Sequence, residues 1–82
     1  MQGITRYGLV NSDIMQDPEL SVTAKAVYAL LCTFADKDRK CFPSIRHLSE
    51  LMGVSRRTVE RSITELKNKT YVSKEDKVFS IQ

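Results

Sequence analysis

Ser44-Ile45-Arg46-His47-Leu48-Ser49-Glu50-Leu51-Met52-Gly53-Val54-Ser55-Arg56-Arg57-Thr58-Val59-Glu60-Arg61-Ser62-Ile63-Thr64-Glu65-Leu66 is the stretch on which the fold turns. Ser44 is a residue type that caps a helix start, and Ile45, Leu48, Leu51 and Met52 are apolar at helical spacing, which predicts a short helix over 45–52. Gly53 stands where a helix ends in a left-handed residue, a conformation only glycine takes cheaply. Ser55 caps a second helix running to about Asn68, whose apolar Val59, Ile63 and Leu66 recur at i, i+4 and i+7. Ser49 is small where two closely crossing helices need it, and Val54 plugs the space under the turn. These positions, in this order, are the sequence form of a helix-turn-helix.

Outward from this core, Ser21 opens a stretch without Gly or Pro in which Val27, Leu30, Leu31 and Phe34 recur at helical spacing, extended by Val22 and Ala26. A helix over about 22–36 is expected. Cys41-Phe42 reads as extended, because the residue before Pro43 is pushed away from helical angles. At the C-terminal end the period changes: 71–74 and 77–81 are strand-like and separated by Glu75-Asp76, which predicts a hairpin. A lone hairpin is marginal in water, so a third strand is expected from Cys41-Phe42 or from Tyr7–Val10. Residues 7–10 read as a short extended segment, followed by a helical turn around 12–15. The expected fold is mainly α with a small β-hairpin, a winged helix-turn-helix. It divides into an N-terminal extended or short helical segment at 1–20 and a single domain at 21–82.

At 82 residues the chain has room for one small core. Its longest apolar run, Ala26 to Cys32, is far shorter than the roughly 18–20 residues that span a bilayer. The N-terminal residues lack the basic flank and apolar stretch of a signal peptide, so a cytoplasmic location and no membrane partner are expected. Cys32, Cys41 and His47 have neither zinc-site nor redox spacing, and two reduced thiols with no metal are the reading. No Ser/His/Asp set, carboxylate pair or phosphate-cradling Gly-rich loop can be assembled, so neither an enzyme nor a cofactor is expected.

The net charge of +3 is unevenly placed. Residues 1–38 hold three basic side chains against five acidic ones, whereas residues 39–74 hold nine against three. Such asymmetry points to a polyanionic partner, its alternative being an ordinary solvated face; joined to the helix-turn-helix form, the expected partner is double-stranded DNA. Taking Val59, Ile63 and Leu66 as buried and stepping about 100° per residue puts Arg57, Arg61, Thr64 and Asn68 on the opposite side, flanked by Arg56 and Glu60. Base contacts are therefore expected from Arg56, Arg57, Glu60, Arg61 and Thr64, since an arginine fork suits guanine and a threonine suits a thymine methyl or a phosphate. Glu60 admits two readings: an acceptor for a cytosine amine, or an ion-pair partner of Arg56 or Arg57 one turn back, the latter being favoured. Phosphate contacts are expected from Ser44, Arg46 and His47 at the head of the first helix of the motif, Ser55 and Thr58 at the head of the second, and Lys67, Lys69, Lys74 and Lys77 toward the hairpin. The apolar set Tyr7, Leu9, Val10, Ile14 and Met15 is the expected homodimer interface; its alternative is to fold back on its own core.

Tyr7-Gly8-Leu9-Val10, Asp17-Pro18-Glu19-Leu20-Ser21, Ala24 to Leu31, Cys41-Phe42-Pro43-Ser44 and Leu51 to Val59 together resemble the helix-turn-helix domains of phage and plasmid replication initiators and the DnaD-like primosomal proteins of Gram-positive bacteria. That resemblance implies a replication-initiator or transcriptional-regulator module. Its alternative is a protein-interaction winged helix that meets replication proteins during primosome assembly. Two departures stand out: Lys69-Thr70-Tyr71 replaces the usual Gly before the wing, and the hairpin loop is short. The resemblance therefore does not carry the family's wing contacts over to this chain.

Overall fold

Helix caps, turns and strand pairings fall where the chain's polar residues can satisfy its backbone. A computed structural model describes residues 10–81. Within them the order is α1 (Ser12–Met15), α2 (Val22–Phe34), β1 (Lys40–Cys41), α3 (Ile45–Met52), α4 (Arg56–Asn68), β2 (Val72–Glu75) and β3 (Val78–Ile81). The three strands form one antiparallel sheet in the order β1-β3-β2. This is a winged helix-turn-helix architecture.

Each long helix starts on a serine whose hydroxyl accepts an otherwise unpaired backbone N–H: Ser21 from Ala24, Ser44 from His47 and Ser55 from Thr58. The α2 helix stops two residues earlier than the expected 36. The Asp36 carboxylate accepts the N–H groups of Asp38 and Lys40 at 2.9 and 3.1 Å, a local turn that competes with further helix. Its buried stripe is Ala24, Val27, Tyr28, Leu31 and Cys32, with Leu30 and Phe34 half-buried; the expected extension fails, as Val22 and Ala26 are exposed. Tyr28 is fully buried, and its hydroxyl accepts the backbone N–H of Asn11 at 2.8 Å.

A second correction concerns α3. Leu51, expected on the buried face, is 52% exposed, while Ser49 is buried. With about 100° per residue, Ile45, Leu48, Ser49 and Met52 share one face and Leu51 lies well to its side. The place nearest α4 goes to the small side chain, whose hydroxyl donates to the Arg46 carbonyl at 2.9 Å. Between α3 and α4, Gly53 takes φ +69° and its N–H returns to the Ser49 carbonyl.

The third strand comes from Cys41, paired with Phe79 of β3; Phe42 leaves the sheet before Pro43 and is 68% exposed. Val10, from the other candidate strand, lies outside the sheet, and Tyr7 to Leu9 lie outside the described residues. The hairpin strands run 72–75 and 78–81, with Asp76 at φ +60° in the two-residue turn, rather than 71–74 and 77–81. The shift has a cause in the end of α4. The Tyr71 N–H closes the helix on the Leu66 carbonyl and the Thr70 N–H on that of Lys67, a Schellman arrangement with Thr70 at φ +60°. Tyr71 is thus held by the helix and cannot start the strand. Val72, Phe79, Ile81 and Cys41 bury the sheet's inner face against the helices, and burial pushes the Cys41 thiol up to about 11, which keeps it neutral.

Ile14 and Leu20, ahead of α2 and 2% and 3% exposed, belong to the same core, with Met15 packed against it. The Asp17 carboxylate receives the Lys69 ammonium at 2.8 Å and the Tyr71 hydroxyl at 2.7 Å. Ile14 is covered by the chain's own core, in line with the fold-back alternative rather than an exposed interface; Met15 is half-buried against that core and Val10 is exposed. Tyr7 and Leu9 lie outside the described residues.

Candidate nucleic-acid interface

The turn at Gly53 and the cap at Ser55 fix α4 so that Val59, Ser62, Ile63 and Leu66 face the core. By helical periodicity the opposite face is then open, and Arg56, Arg57, Glu60, Arg61 and Thr64 are all exposed. Among the described residues none of the three arginines has a carboxylate within ion-pair distance. The favoured pairing of Glu60 with Arg56 or Arg57 does not form. Exposed guanidinium groups and an exposed carboxylate gain too little from each other to be held together. The Thr64 hydroxyl donates to the Glu60 carbonyl at 3.0 Å, which leaves its methyl group and oxygen lone pairs for an outside partner.

At the head of α3, Ser44 and His47 are exposed, and the His47 ring lies 5.7 Å from that of Phe34. Arg46 is exposed and paired with Glu50 at 3.3 Å along the helix. At the head of α4 the Ser55 and Thr58 hydroxyls are 3.0 Å apart. The wing is brought close to α4: Glu60, Thr64 and Lys67 of α4 line a cleft of about 200 Å³ together with Ile45 of α3 and Lys74 of β2. Lys74 has its ammonium 5.1 Å from the centre of the Phe79 ring, a cation-π contact that holds it on the sheet. Lys77 is exposed in the hairpin turn and borders a neighbouring groove with Lys74.

Lys69 is separated from this set. Its side chain is 27% exposed, with its ammonium 2.8 Å from Asp17 and 3.0 Å from Glu19. The pairing raises the Lys69 pKa. The bonds from Lys69, Tyr71 and the Glu19 N–H hold the Asp17 carboxyl down at about 2. Lys69 thus serves the fold: two carboxylates already neutralise its charge and engage two of its three N–H donors. Sequence reasoning missed this cluster, whose partners are more than fifty residues apart. It missed as well the clamp by which Glu65 accepts the Ser21 N–H and hydroxyl at 2.7 and 2.9 Å, tying α4 to the head of α2.

Among the described residues no helix is long and apolar enough to cross a membrane. No curated protein and no solved structure matches the chain. The family model of the helix-turn-helix domain matches residues 19–72, more than half of the chain, and takes in Ser21, the Gly53 turn, the whole of α4 and the start of the wing. By that match the chain belongs to the helix-turn-helix domain family.

Proposed function

We propose that this chain binds double-stranded DNA sequence-specifically, with the head of α4 in the major groove, as a replication-initiator or transcriptional-regulator module of a phage, plasmid or other mobile element. The observation that carries this reading is the set of three exposed arginines, Arg56, Arg57 and Arg61, unpaired with any carboxylate among the described residues at the start of the second helix of the motif. That is where a recognition helix meets base edges. In this reading Arg57 and Arg61 read guanines, Glu60 accepts from a cytosine amine and Thr64 touches a thymine methyl. Ser44, Arg46 and His47, with Ser55, Thr58, Lys67, Lys74 and Lys77, position the duplex through its phosphates.

One recognition helix spans only a few base pairs, so tight binding calls for two copies on two half-sites, in which the exposed Val10 is available for pairing. Selection of bound duplexes from a random pool tests the reading. The expected result is a short enriched motif whose recovery drops when Arg57 or Arg61 is replaced by alanine. Absence of duplex binding at about 50 mM salt overturns it and leaves the protein-interaction role among replication proteins.

A further inference from the structure

Beside the cleft that α4 shares with the wing lies a second recess whose rim, Ser44, Lys74 and Lys77, is shared with the proposed duplex phosphate contacts, but whose aromatic wall the paired-DNA contacts do not use. Phe42, Pro43, Ile45 and Phe79 make it largely apolar, and Lys74 and Lys77 border it. The two hollows adjoin, because Ile45 and Lys74 line both. Among the described residues Phe42 is the large aromatic the fold leaves exposed, at 68%, whereas Tyr28 and Phe79 are fully buried. It also does no work for the sheet, since β1 ends at Cys41 and the pairing with β3 stops there.

The chemistry of the recess selects its occupant. A base pair within a duplex offers a groove only its edges, polar but for the thymine methyl, because its faces are stacked on its neighbours. An unpaired nucleotide offers an open π-face attached to a phosphate. An exposed aromatic ring bordered by cations fits that combination, as in surfaces that hold single strands by stacking and charge. We propose that the recess between Phe42 and the hairpin is a binding site for an unpaired nucleotide, stacked on Phe42 with its phosphate against Lys74 and Lys77. The site rests on the DNA-binding reading and deepens it. A protein that holds a paired site on α4 and an unpaired base at the wing is suited to the edge of an opened duplex, the condition in which replication begins.

The test compares two probes for the intact chain: a blunt duplex, and the same duplex carrying a single-stranded tail of about 6 thymidines. The unmodified protein is expected to prefer the tailed probe by at least about 5-fold. Phe42→Ala abolishes that preference and leaves the blunt duplex bound as before, while Phe42→Trp retains it. A 2-aminopurine placed in the tail is quenched by the unmodified protein and not by Phe42→Ala. A preference that survives Phe42→Ala comes from the added phosphates alone and overturns the proposal. Equal weakening of both probes by Phe42→Ala also overturns it, because Phe42 then serves paired DNA. Failure to bind either probe removes the DNA reading itself, whereas binding of both with no preference for the tail removes only the unpaired-nucleotide site.

Discussion

The two ends of α4 carry the same sign of charge and use it in opposite ways. At the head, Arg56, Arg57 and Arg61 stand in solvent without a carboxylate partner among the described residues. At the foot, Lys69 is enclosed by Asp17 and Glu19 at 2.8 and 3.0 Å, with the Tyr71 hydroxyl on the same Asp17 oxygen. Each of these side chains counts the same in any tally of basic residues. The arginines at the head keep their charge for a polyanion, whereas Lys69 spends its charge on fastening residues 17–19 to the junction of helix and wing.

The largest effect that sharpens this contrast is the response to salt. With about four cations at phosphates, duplex affinity should fall about 100-fold between ~50 and ~200 mM salt. Lys67→Ala should reduce the slope by about one, whereas Lys69→Ala should leave it unchanged and lower the melting temperature. Fluorescence anisotropy across a salt series measures the slopes, and a shallower slope for Lys69→Ala would erase the distinction between the two ends.

The turns that bound α4 come next. Gly53 leads into it at φ +69°, with nothing within 4 Å of where a Cβ would stand, so Gly53→Ala should cost about 1 kcal/mol from backbone conformation alone. Thr70 ends it at φ +60°, a costly angle for a β-branched residue. Its hydroxyl bond to the Lys69 carbonyl, 2.6 Å, is local and exposed. Thr70→Gly should therefore stabilise the fold by about 0.5–1 kcal/mol, the relief of the left-handed angle exceeding the added freedom of the unfolded chain. Urea titration reads both. Destabilisation by Thr70→Gly would mean that the foot of α4 depends on that side chain.

The smallest effect is a change in the shape of a pH curve. The Asp17 carboxyl is held down at about 2, below its usual 3.8, by Lys69, Tyr71 and the Glu19 N–H. A depressed carboxylate lends stability that is complete above the usual value and fades as pH falls toward 2. Asp17→Asn should flatten the acid limb of stability between about pH 4 and 2. Arg57→Ala should leave that limb as it is. Thermal melts across this range decide it, and an unchanged limb in Asp17→Asn would show that the foot cluster does not hold the carboxylate charged.

Which features could be read in advance follows from how local their causes are. The serine caps, the Gly53 turn and the exposed side of α4 depend on residues within two turns of one another, and 3.6-residue periodicity carries them. Leu51 is the misleading residue because apolar character alone cannot tell the buried face of a helix from its margin, and the buried positions are those of Leu48 and Ser49. The hairpin register slipped by one because Tyr71 is drawn into the end of α4 by Leu66 and by Asp17, the latter fifty-four residues away. Ile14 was placed on an interface because its burial depends on tertiary packing against helices that a linear reading cannot position. Lys69 reads as a phosphate ligand from the sequence because the carboxylates that engage it lie 52 and 50 residues away.

The specificity ratio tests the central claim most directly: affinity for the selected duplex divided by affinity for a random duplex, at one salt concentration, for the unmodified chain, Arg57→Ala and Lys69→Ala. If the head of α4 reads bases and its foot only closes the fold, Arg57→Ala lowers the ratio by about 5- to 150-fold, the equivalent of about 1–3 kcal/mol, and Lys69→Ala leaves it unchanged. Equal ratios for all three proteins, or a fall with Lys69→Ala that matches the fall with Arg57→Ala, would contradict it.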